Sequence, residues 1–332
     1  MKHRPDAGNE ASCRSGKSPY RIHRREIRPA AAENGVMMRK VQQTAYAKIN
    51  LSLDILGKKE DGYHLVRMVM QTIGLSDELT FETEDRECPA MEVSLSADSG
   101  EISCGEDNLV VRAVRRMEKE FGIRKDLKIR LKKRIPVAAG MAGGSTDAAA
   151  ALRAVRDLFV PDVSDAELQR IGVALGADIP YCVTGGTQLS EGIGEILTAL
   201  PDAPQCGLVI CKPPVGVSTG EVYRRYDALG EVRHPDIDAQ IDAIKRGDLR
   251  GMAEQCVNVL EEVTGAMYPQ IGEIERFFES EGAVVSRMSG SGPTVFSVFT
   301  SQEEAGKAAE AFRAKYRGQD FKVMATGFVY RI

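Results

Sequence analysis

The sequence predicts an α+β protein with two domains, on three observations. The chain of 332 residues is long enough for two ordinary hydrophobic cores. Its first half begins with strand patterns and continues with helices around a glycine-rich loop, and its second half has a β-α-β order with strands on both sides of another glycine loop. A proline-rich stretch, PDAPQ, separates the halves, so we predict domains over residues 38–200 and 201–332.

The composition is typical of a soluble globular protein and excludes several function classes. Apolar residues make up 43% of the chain and charged residues 28%. No apolar run of about eighteen residues is present, so we predict no transmembrane helix and no membrane partner. The net charge of −4 and the absence of tryptophan argue against nucleic acid as a partner.

The cysteines and histidines indicate the cellular compartment and argue against a metal centre. The seven cysteines are scattered and none forms a CxxC pair, which indicates reduced thiols and a cytoplasmic protein. The four histidines are far apart and form no HExxH or HxH pattern, so a His/Cys metal site is not expected. Both a monomer and a homodimer are compatible with the sequence.

The first 37 residues differ from the rest of the chain. Residues 1–40 carry ten basic residues against four acidic ones, and they show no apolar periodicity. They also lack the apolar segment that a signal peptide requires. We therefore predict a disordered basic tail over residues 1–37, with Met37 or Met38 as the natural start.

Apolar periodicity predicts the elements of the first half. Strands are expected at about 44–57, 66–75, 78–84, 91–96 and 127–135. Asp107-Asn108 is an N-cap pattern that opens a helix ending at Gly122, and Ser164 opens a second helix with a capping box. The basic outer positions of the strand at 127–135 either face solvent or attract a polyanion.

The stretch PVAAGMAGGSTDAAAAL, residues 136–152, joins a run of small residues to the start of a helix. Small residues let backbone N–H groups approach a ligand closely. The helix start directs unpaired N–H groups and the positive end of the dipole at the same point. The pattern predicts an anion site, most commonly for phosphate, although a turn without a ligand is the alternative. It is neither a Walker A loop nor a GxGxxG motif.

In the second half, the periodicity predicts alternating strands and helices. Strands are expected at 206–212, 283–288, 294–299 and 321–329, and helices at about 219–226, 236–247, 249–257, 268–281 and 302–316. Judged by residue type and position alone, several polar and aromatic residues of the chain are expected to have structural roles. A lysine such as Lys48 in a strand usually faces solvent, an aspartate such as Asp178 usually stabilises a turn, and a tyrosine usually packs in a core.

Three stretches together resemble the motifs of the GHMP kinase superfamily: AYAKINLSLDILGKKEDGYH, PVAAGMAGGSTDAAAAL and MSGSGPTVF. The first stretch, with LGADIPYCVTGGTQLSEGIGEIL, resembles more closely the 4-diphosphocytidyl-2-C-methyl-D-erythritol kinases of the non-mevalonate isoprenoid pathway. The resemblance covers about residues 40–332. It implies an N-terminal ATP-binding domain like domain 2 of ribosomal protein S5, a ferredoxin-like C-terminal domain, and an active site between them.

The resemblance also implies the reaction and the residues that hold the donor. The γ-phosphoryl group of ATP, with Mg²⁺, would pass to the 2-hydroxyl of the CDP-methylerythritol substrate. The loop would hold the ATP phosphates by its backbone N–H groups, and the hydroxyl of Ser145 or Thr146 would reach a phosphate or the metal. The donor residues are Pro136, Val137, Ala138, Ala139, Gly140, Met141, Ala142, Gly143, Gly144, Ser145 and Thr146.

Catalysis and acceptor binding are implied at other matched positions. Asp178 would accept the proton of the hydroxyl, and Lys48 would stabilise the developing negative charge. The residues implied for the acceptor are Asn50, Tyr63, His64, Tyr223, Gly290, Ser291 and Gly292. Among them, Asn50 and His64 would read a cytosine edge, the two tyrosines would stack on its faces, and the three loop residues would form a second phosphate-side loop.

Asp147 and Ala142 are two residues of this stretch that we do not expect to bind phosphate like their neighbours or that depart from the family pattern. Asp147 would repel phosphates if it faced them, so we expect it to stabilise the first turn of the helix instead. Ala142 stands where the family often has glycine, and we expect it to shift the loop slightly. Two alternative functions stay open at this point: a GHMP kinase for mevalonate, homoserine or a sugar, and a nucleotide-binding protein without turnover.

Overall fold

The structure is a computed structural model that describes residues 28–30 by their backbone and residues 38–332 in full. The predicted disordered tail therefore lies outside the described residues, except for Arg28–Ala30, which pair with Met38–Lys40. The boundary of the tail stays a prediction. None of the helices among the described residues has the length and apolar character needed to cross a bilayer.

The described residues form eleven strands and ten helices. The strands are β1 (Arg28–Ala30), β2 (Met38–Lys58), β3 (His64–Glu84), β4 (Val93–Ala97), β5 (Leu127–Lys132), β6 (Thr187–Glu191), β7 (Ile196–Ala199), β8 (Gly207–Lys212), β9 (Val285–Met288), β10 (Val295–Phe299) and β11 (Lys322–Thr326). The helices are α1 (Leu109–Phe121), α2 (Gly143–Phe159), α3 (Asp165–Val173), α4 (Ile179–Thr184), α5 (Thr219–Tyr226), α6 (Ile237–Lys245), α7 (Leu249–Glu254), α8 (Glu261–Met267), α9 (Gln270–Ser280) and α10 (Gln302–Lys315).

The first sheet is built on the long antiparallel hairpin of β2 and β3. Its strand order is β1-β2-β3-β5-β4, and β6 and β7 extend it from the other part of β3. The prediction of two strands over 66–75 and 78–84 is wrong, because β3 is one strand. Asp77 interrupts the apolar pattern there, yet it is fully buried and accepts hydrogen bonds from the backbone N–H groups of Arg134 and Ile135. Its carboxylate is thus satisfied within the fold, and the strand continues.

The outer face of this sheet carries cross-strand ion pairs. On β5, Arg130 pairs with Glu82, and Lys132 lies 3.2 Å from Glu78 on β3. The basic outer positions of β5 are therefore neutralised by the neighbouring strand. The structure favours the solvent-facing interpretation of this strand over the polyanion site.

Helices cover the inner face of the first sheet, and their caps agree with the sequence patterns. Asn108 caps α1 by accepting from the N–H of Val110, and Gly122 ends it in the left-handed conformation. Ser164 caps α3 by accepting from the N–H of Glu167. The alanines of α2 over 148–151 are completely buried, so the helix axis lies close to the sheet.

The second sheet is antiparallel and has the order β11-β8-β10-β9. Counted within this half, the order is fourth, first, third, second, with α9 and α10 packed on one face. This is the predicted ferredoxin-like α/β sandwich. Aromatic rings fill its core, as in the pair Phe278 and Phe312, which stack at 5.1 Å.

Three features of the chain were not predicted. The helix α4 begins directly after Asp178, which is its N-cap, whereas the sequence places this residue in a turn after a helix. The short helix α8 and the strand pair β6–β7 also lie in stretches without a predicted element. These short elements depend on long-range contacts, because their lengths are too small for a periodic signal.

The two halves of the chain are joined by backbone pairing. Leu53 of β2 forms a bridge with Asn258, and the residues after β11 return to β3. There the N–H of Val329 donates to the oxygen of Thr72, and the N–H of Gly74 donates to the oxygen of Gly327, both at 2.9 Å. These contacts fix the second sheet against the first and leave a cleft between them.

Candidate active site

The cleft has a volume of about 770 Å³ and is lined by residues from both halves. The glycine-rich loop before α2 lies at one part of it, and the residues around the β2–β3 turn lie at another. Of the 20 residues predicted for the site, all but Met141, Thr146 and Gly292 line the cleft. Met141 is buried in the core, and the hydroxyl of Thr146 donates to the oxygen of Tyr46 at 2.8 Å, so it is not free for a ligand.

The loop before α2 is held in an uncommon backbone conformation. Ala138, Gly140 and Ala142 all have positive φ angles, of 50°, 73° and 56°. For the two alanines this conformation costs on the order of 1 kcal/mol each, because Cβ crowds the following carbonyl. Ala142 is the N-cap of α2, and its side chain makes no capping bond. Ala142, which stands where the family often has glycine, thus keeps a positive φ angle of the kind that glycine adopts easily.

A second glycine loop, residues 289–292, contacts the first. The hydroxyl of Ser289 donates to the oxygen of Gly140 at 3.0 Å. A Cβ placed on Gly140 would lie 2.3 Å from the Ser289 oxygen and 3.0 Å from the Gly292 oxygen. Only glycine permits the two backbones to approach this closely.

Buried side chains support the second loop from behind. The amide of Asn258 donates to the oxygens of Met288 and Gly290, at 2.9 and 2.7 Å. The carboxylate of Glu261 accepts from the N–H of Met288 at 2.6 Å. Burial and, to a smaller extent, the neighbouring carboxylate of Glu261 raise the pKa of Glu275 to about 9. The side chains of Asn258 and Glu261 therefore fix the backbone of the second loop.

The structure brings Lys48 and Asp178 together on the cleft wall. Lys48 lies on β2 with only 6% of its side chain exposed, and its Nζ is 3.5 Å from Oδ2 of Asp178. The same Nζ donates to Oδ1 of Asn50 at 2.8 Å. Asp178 makes no capping bond to α4, and a third of its side chain is exposed to the cleft. A buried cation thus faces a carboxylate that a ligand can reach.

Asn50 lines the cleft beside Lys48. Its Oδ1 accepts from Lys48, and its Nδ2 lies 3.2 Å from the sulfur of Met68. Its backbone N–H donates to the hydroxyl of Ser289 at 3.3 Å. The residue therefore joins Lys48 to the second loop, and its role in binding the acceptor base stays a prediction.

Asp147 belongs to a buried ion cluster beneath the loop, not to a first-turn capping arrangement as predicted. It is the fifth residue of α2, and its Oδ2 lies 2.8 Å from Nζ of Lys133. Lys133 also pairs with Asp77 of β3. Burial raises the pKa of Asp147 to about 7, against the opposing effect of Lys133. For Lys133 itself burial acts the other way, but the two carboxylates outweigh it and raise its pKa.

The far part of the cleft carries aromatic and charged side chains from both halves. His64 of β3 and Tyr223 of α5 have ring centroids 4.8 Å apart, tilted by 41°. Nε2 of His64 lies 2.6 Å from Oδ1 of Asp227, the residue that ends α5. Tyr63, on the turn before β3, is 59% exposed. An open aromatic face is thus available for a flat ligand.

Lys133, Lys58 and Asp227 line the cleft but were not selected from the sequence. Lys133 looked like one of several outer bases of a strand, and Asp227 like an ordinary residue at a helix end. Their partners are far away in sequence, so no local spacing could identify them. A charged residue next to a glycine motif was the one available signal for Lys133.

The fold, the paired glycine loops and the buried lysine facing a carboxylate define the class of protein. The family described as "GHMP kinases N terminal domain" matches residues 108–186, and the family described as "GHMP kinases C terminal" matches residues 240–318. The protein is therefore a small-molecule kinase of the GHMP type. The homoserine kinase of Cytophaga hutchinsonii shares this fold, with a TM-score of 0.70 and 18% identity over 88% of this chain and 95% of that one.

More similar relatives narrow the class to one family. The 4-diphosphocytidyl-2-C-methyl-D-erythritol kinase of Lachnospira eligens is 45% identical over 84% of this chain and 95% of its own. That of Lachnoclostridium phytofermentans is 47% identical over 80% and 89%. A crystal structure of a 4-(cytidine 5'-diphospho)-2C-methyl-D-erythritol kinase has a TM-score of 0.71 and 29% identity over 86% of this chain and 98% of that one. The chain belongs to the 4-diphosphocytidyl-2-C-methyl-D-erythritol kinase family.

Proposed function

We propose that the protein transfers the γ-phosphoryl group of ATP to the 2-hydroxyl of 4-diphosphocytidyl-2-C-methyl-D-erythritol, giving the 2-phosphate, a step of the non-mevalonate isoprenoid pathway. The observation that carries this proposal is the position of the Lys48–Asp178 pair. Its two side chains are 3.5 Å apart in a cleft that also contains a phosphate-type loop and an aromatic region. Donor, acceptor and proton acceptor can therefore meet at one place.

The loop before α2 is the donor site. The first backbone N–H groups of α2, from Gly143 to Ser145, have no partner within the helix, and the positive end of its dipole adds to them. These groups can hold the β- and γ-phosphates of ATP without any side chain. The second loop, at Gly290 and Ser291, closes the site from the other half.

The cleft fits a Mg²⁺ ion that is held mainly by the nucleotide. Among residues 38–332, no three His, Cys, Asp or Glu side chains converge to form a protein metal site. Mg²⁺ commonly binds through substrate phosphates, waters and one or two oxygen ligands. Because Thr146 is engaged by Tyr46, the side-chain oxygens of Ser145, Asp147 and Asp178, which line the cleft, would be the ones to hold the ion. When bound, the ion would neutralise charge on the phosphates.

Asp178 and Lys48 act on the acceptor hydroxyl. Asp178 orients the hydroxyl by accepting its hydrogen bond, and it takes the proton as the oxygen–phosphorus bond forms. Lys48 holds a positive charge beside the reacting oxygens and so favours the transition state, in which negative charge is spread over the transferred group. Asn50 orients Lys48 through the 2.8 Å hydrogen bond to its Nζ.

The aromatic region selects the molecule that carries the hydroxyl. Tyr63 and Tyr223 offer faces on which a pyrimidine can stack, at about 1–3 kcal/mol per base. His64, whose ring lies 4.8 Å from that of Tyr223, offers a polar edge beside the base. Mevalonate, homoserine and simple sugars have no base, so this region would give them no advantage.

An acceptor panel tests the proposal. ADP release is coupled to an indicator enzyme and measured with 4-diphosphocytidyl-2-C-methyl-D-erythritol, mevalonate, homoserine and galactose at equal concentrations. We expect turnover with the first compound only. Equal turnover of mevalonate or a sugar would favour the alternative GHMP kinase, and ATP binding without any turnover would favour the non-catalytic alternative. The cytoplasmic location, the monomeric or dimeric state and the absence of a nucleic-acid partner stay predictions.

A further inference from the structure

Asp227 connects the two walls of the cleft at its aromatic end. It is the C-cap residue of α5 and lies four residues after Tyr223, so both side chains lie on one face of the helix. One carboxylate oxygen lies 2.6 Å from Nε2 of His64, and the other accepts from Nζ of Lys58 at 2.5 Å. Asp227, from the second half of the chain, thus contacts two residues of the first half, His64 and Lys58.

These two residues form the base of the turn that carries Tyr63. Lys58 ends β2, His64 begins β3, and the two are direct partners in the hairpin. Between them, the turn is closed by a hydrogen bond from the N–H of Lys59 to the oxygen of Tyr63 at 2.8 Å. Asp61 accepts from the N–H of Tyr63 at 3.2 Å. A contact that fixes the base of this turn therefore fixes the position of Tyr63.

We propose that Asp227 is a positioning residue for the nucleoside end of the acceptor. By holding the β2–β3 turn and the His64 ring against α5, it sets the separation of Tyr63 and Tyr223 before the base enters. This inference rests on the proposed function, since it assigns the residue that shapes the pyrimidine site. The side-chain partners of Asp227 are Lys58 and His64, so we expect its influence to be on acceptor binding.

The expected effect is on affinity rather than on the chemical step or on folding. Lys58 and Asp227 are partly exposed, with 49% and 30% of their side chains accessible, and such ion pairs contribute little to folding. The ion pair has a larger effect on binding than on folding. Without it the β2–β3 turn is less ordered, and part of the binding free energy of the ligand is spent on ordering it. Loss of this ordering predicts a KM for the acceptor that is roughly tenfold higher.

The test compares variants in steady-state kinetics and in binding of cytidine 5'-diphosphate by calorimetry. Asp227→Ala should raise the acceptor KM and weaken diphosphate binding by the same factor, with kcat, the KM for ATP and the melting temperature unchanged. Lys58→Met, changed from the opposite wall, should act in the same direction. The double variant should be no weaker than Asp227→Ala, because both changes remove one connection.

A second ion pair between the halves provides the matched control. Arg67 of β3 and Asp238 of α6 form two hydrogen bonds, at 3.0 and 2.6 Å, outside the cleft. Asp238→Ala should leave the acceptor KM at the wild-type value. Unchanged diphosphate affinity in Asp227→Ala, additive effects in the double variant, or an equal rise in the KM for ATP would overturn the proposal.

These outcomes are separate from a failure of the proposed function. A wild-type protein that binds cytidine 5'-diphosphate but does not phosphorylate the acceptor would contradict the proposed reaction, and the comparison of variants would still decide the role of Asp227. A wild-type protein that does not bind this compound would overturn both.

Discussion

Replacing Gly140 by alanine would push apart the two glycine loops at the donor part of the cleft. The new Cβ would lie 2.3 Å from the oxygen of Ser289, and ordinary van der Waals contact begins at 3.4 Å. The contacting atoms are backbone, so no flexible side chain can move away. One loop must therefore shift by about 1 Å relative to the other.

The size of the effect follows from this geometry. A positive φ angle costs alanine about 1–2 kcal/mol, and overpacking of a tight contact costs about 1–3 kcal/mol. The free energy of unfolding should therefore fall by roughly 2–5 kcal/mol. A displacement of about 1 Å at reacting groups lowers the rate by about 100-fold, so we expect kcat/KM for ATP to fall by that factor.

Two measurements check this prediction: coupled ADP release at saturating acceptor, and thermal melting followed by circular dichroism. The control is Gly306→Ala on α10, where a Cβ meets open space and the φ angle is not positive. This variant should keep its activity and gain up to about 1 kcal/mol of stability. If Gly140→Ala keeps the kcat/KM for ATP of the wild-type protein, the close approach of the two loops does not determine the geometry of the donor site.

Three further changes test other parts of the structure. Asp178→Ala should lower kcat by roughly 1,000-fold and leave ATP binding measurable by calorimetry, and a near-normal rate would contradict its role as proton acceptor. Glu275 has its pKa raised to about 9, above an ordinary value of 4.5, so the stability that it contributes is complete below pH 4.5 and is lost as the pH rises towards 9. In Glu275→Gln, urea unfolding should show a weaker decline of stability over this range, and parallel pH curves would contradict the assignment. Deletion of residues 1–36 should change neither activity nor melting temperature, and a large fall in either would show that the tail belongs to the fold.

Local patterns were sufficient where an element is defined by its own residues. Helix α1 could be predicted because Asn108 and Gly122 mark its ends and its apolar face repeats between them. The glycine-rich loop before α2 could also be predicted, because the small residues and the helix start are adjacent in the chain. The α/β sandwich of the second half followed from the order of its strands and helices, and its ferredoxin-like topology was implied by the family resemblance.

Features that depend on distant partners could not be read from periodicity. Asp77 looks like an interruption of a strand until Arg134 and Lys133 are placed beside it. Likewise, Thr146 offers a hydroxyl to a ligand in the sequence, but the backbone of Tyr46 takes it in the fold. The sequence alone therefore could not indicate which groups these polar side chains contact in the fold.

The return of the last residues to β3 affects how the molecule is made. The chain leaves the ribosome from its N-terminal end, so β3 emerges long before Gly327–Val329 exist. Thr72, which receives the bond from Val329, is also the hairpin partner of Lys48. A nascent chain therefore completes the pairing of the strand behind its buried lysine only after residues 327–329 have been made. A product that stops before residue 327 would have an incomplete sheet at that position.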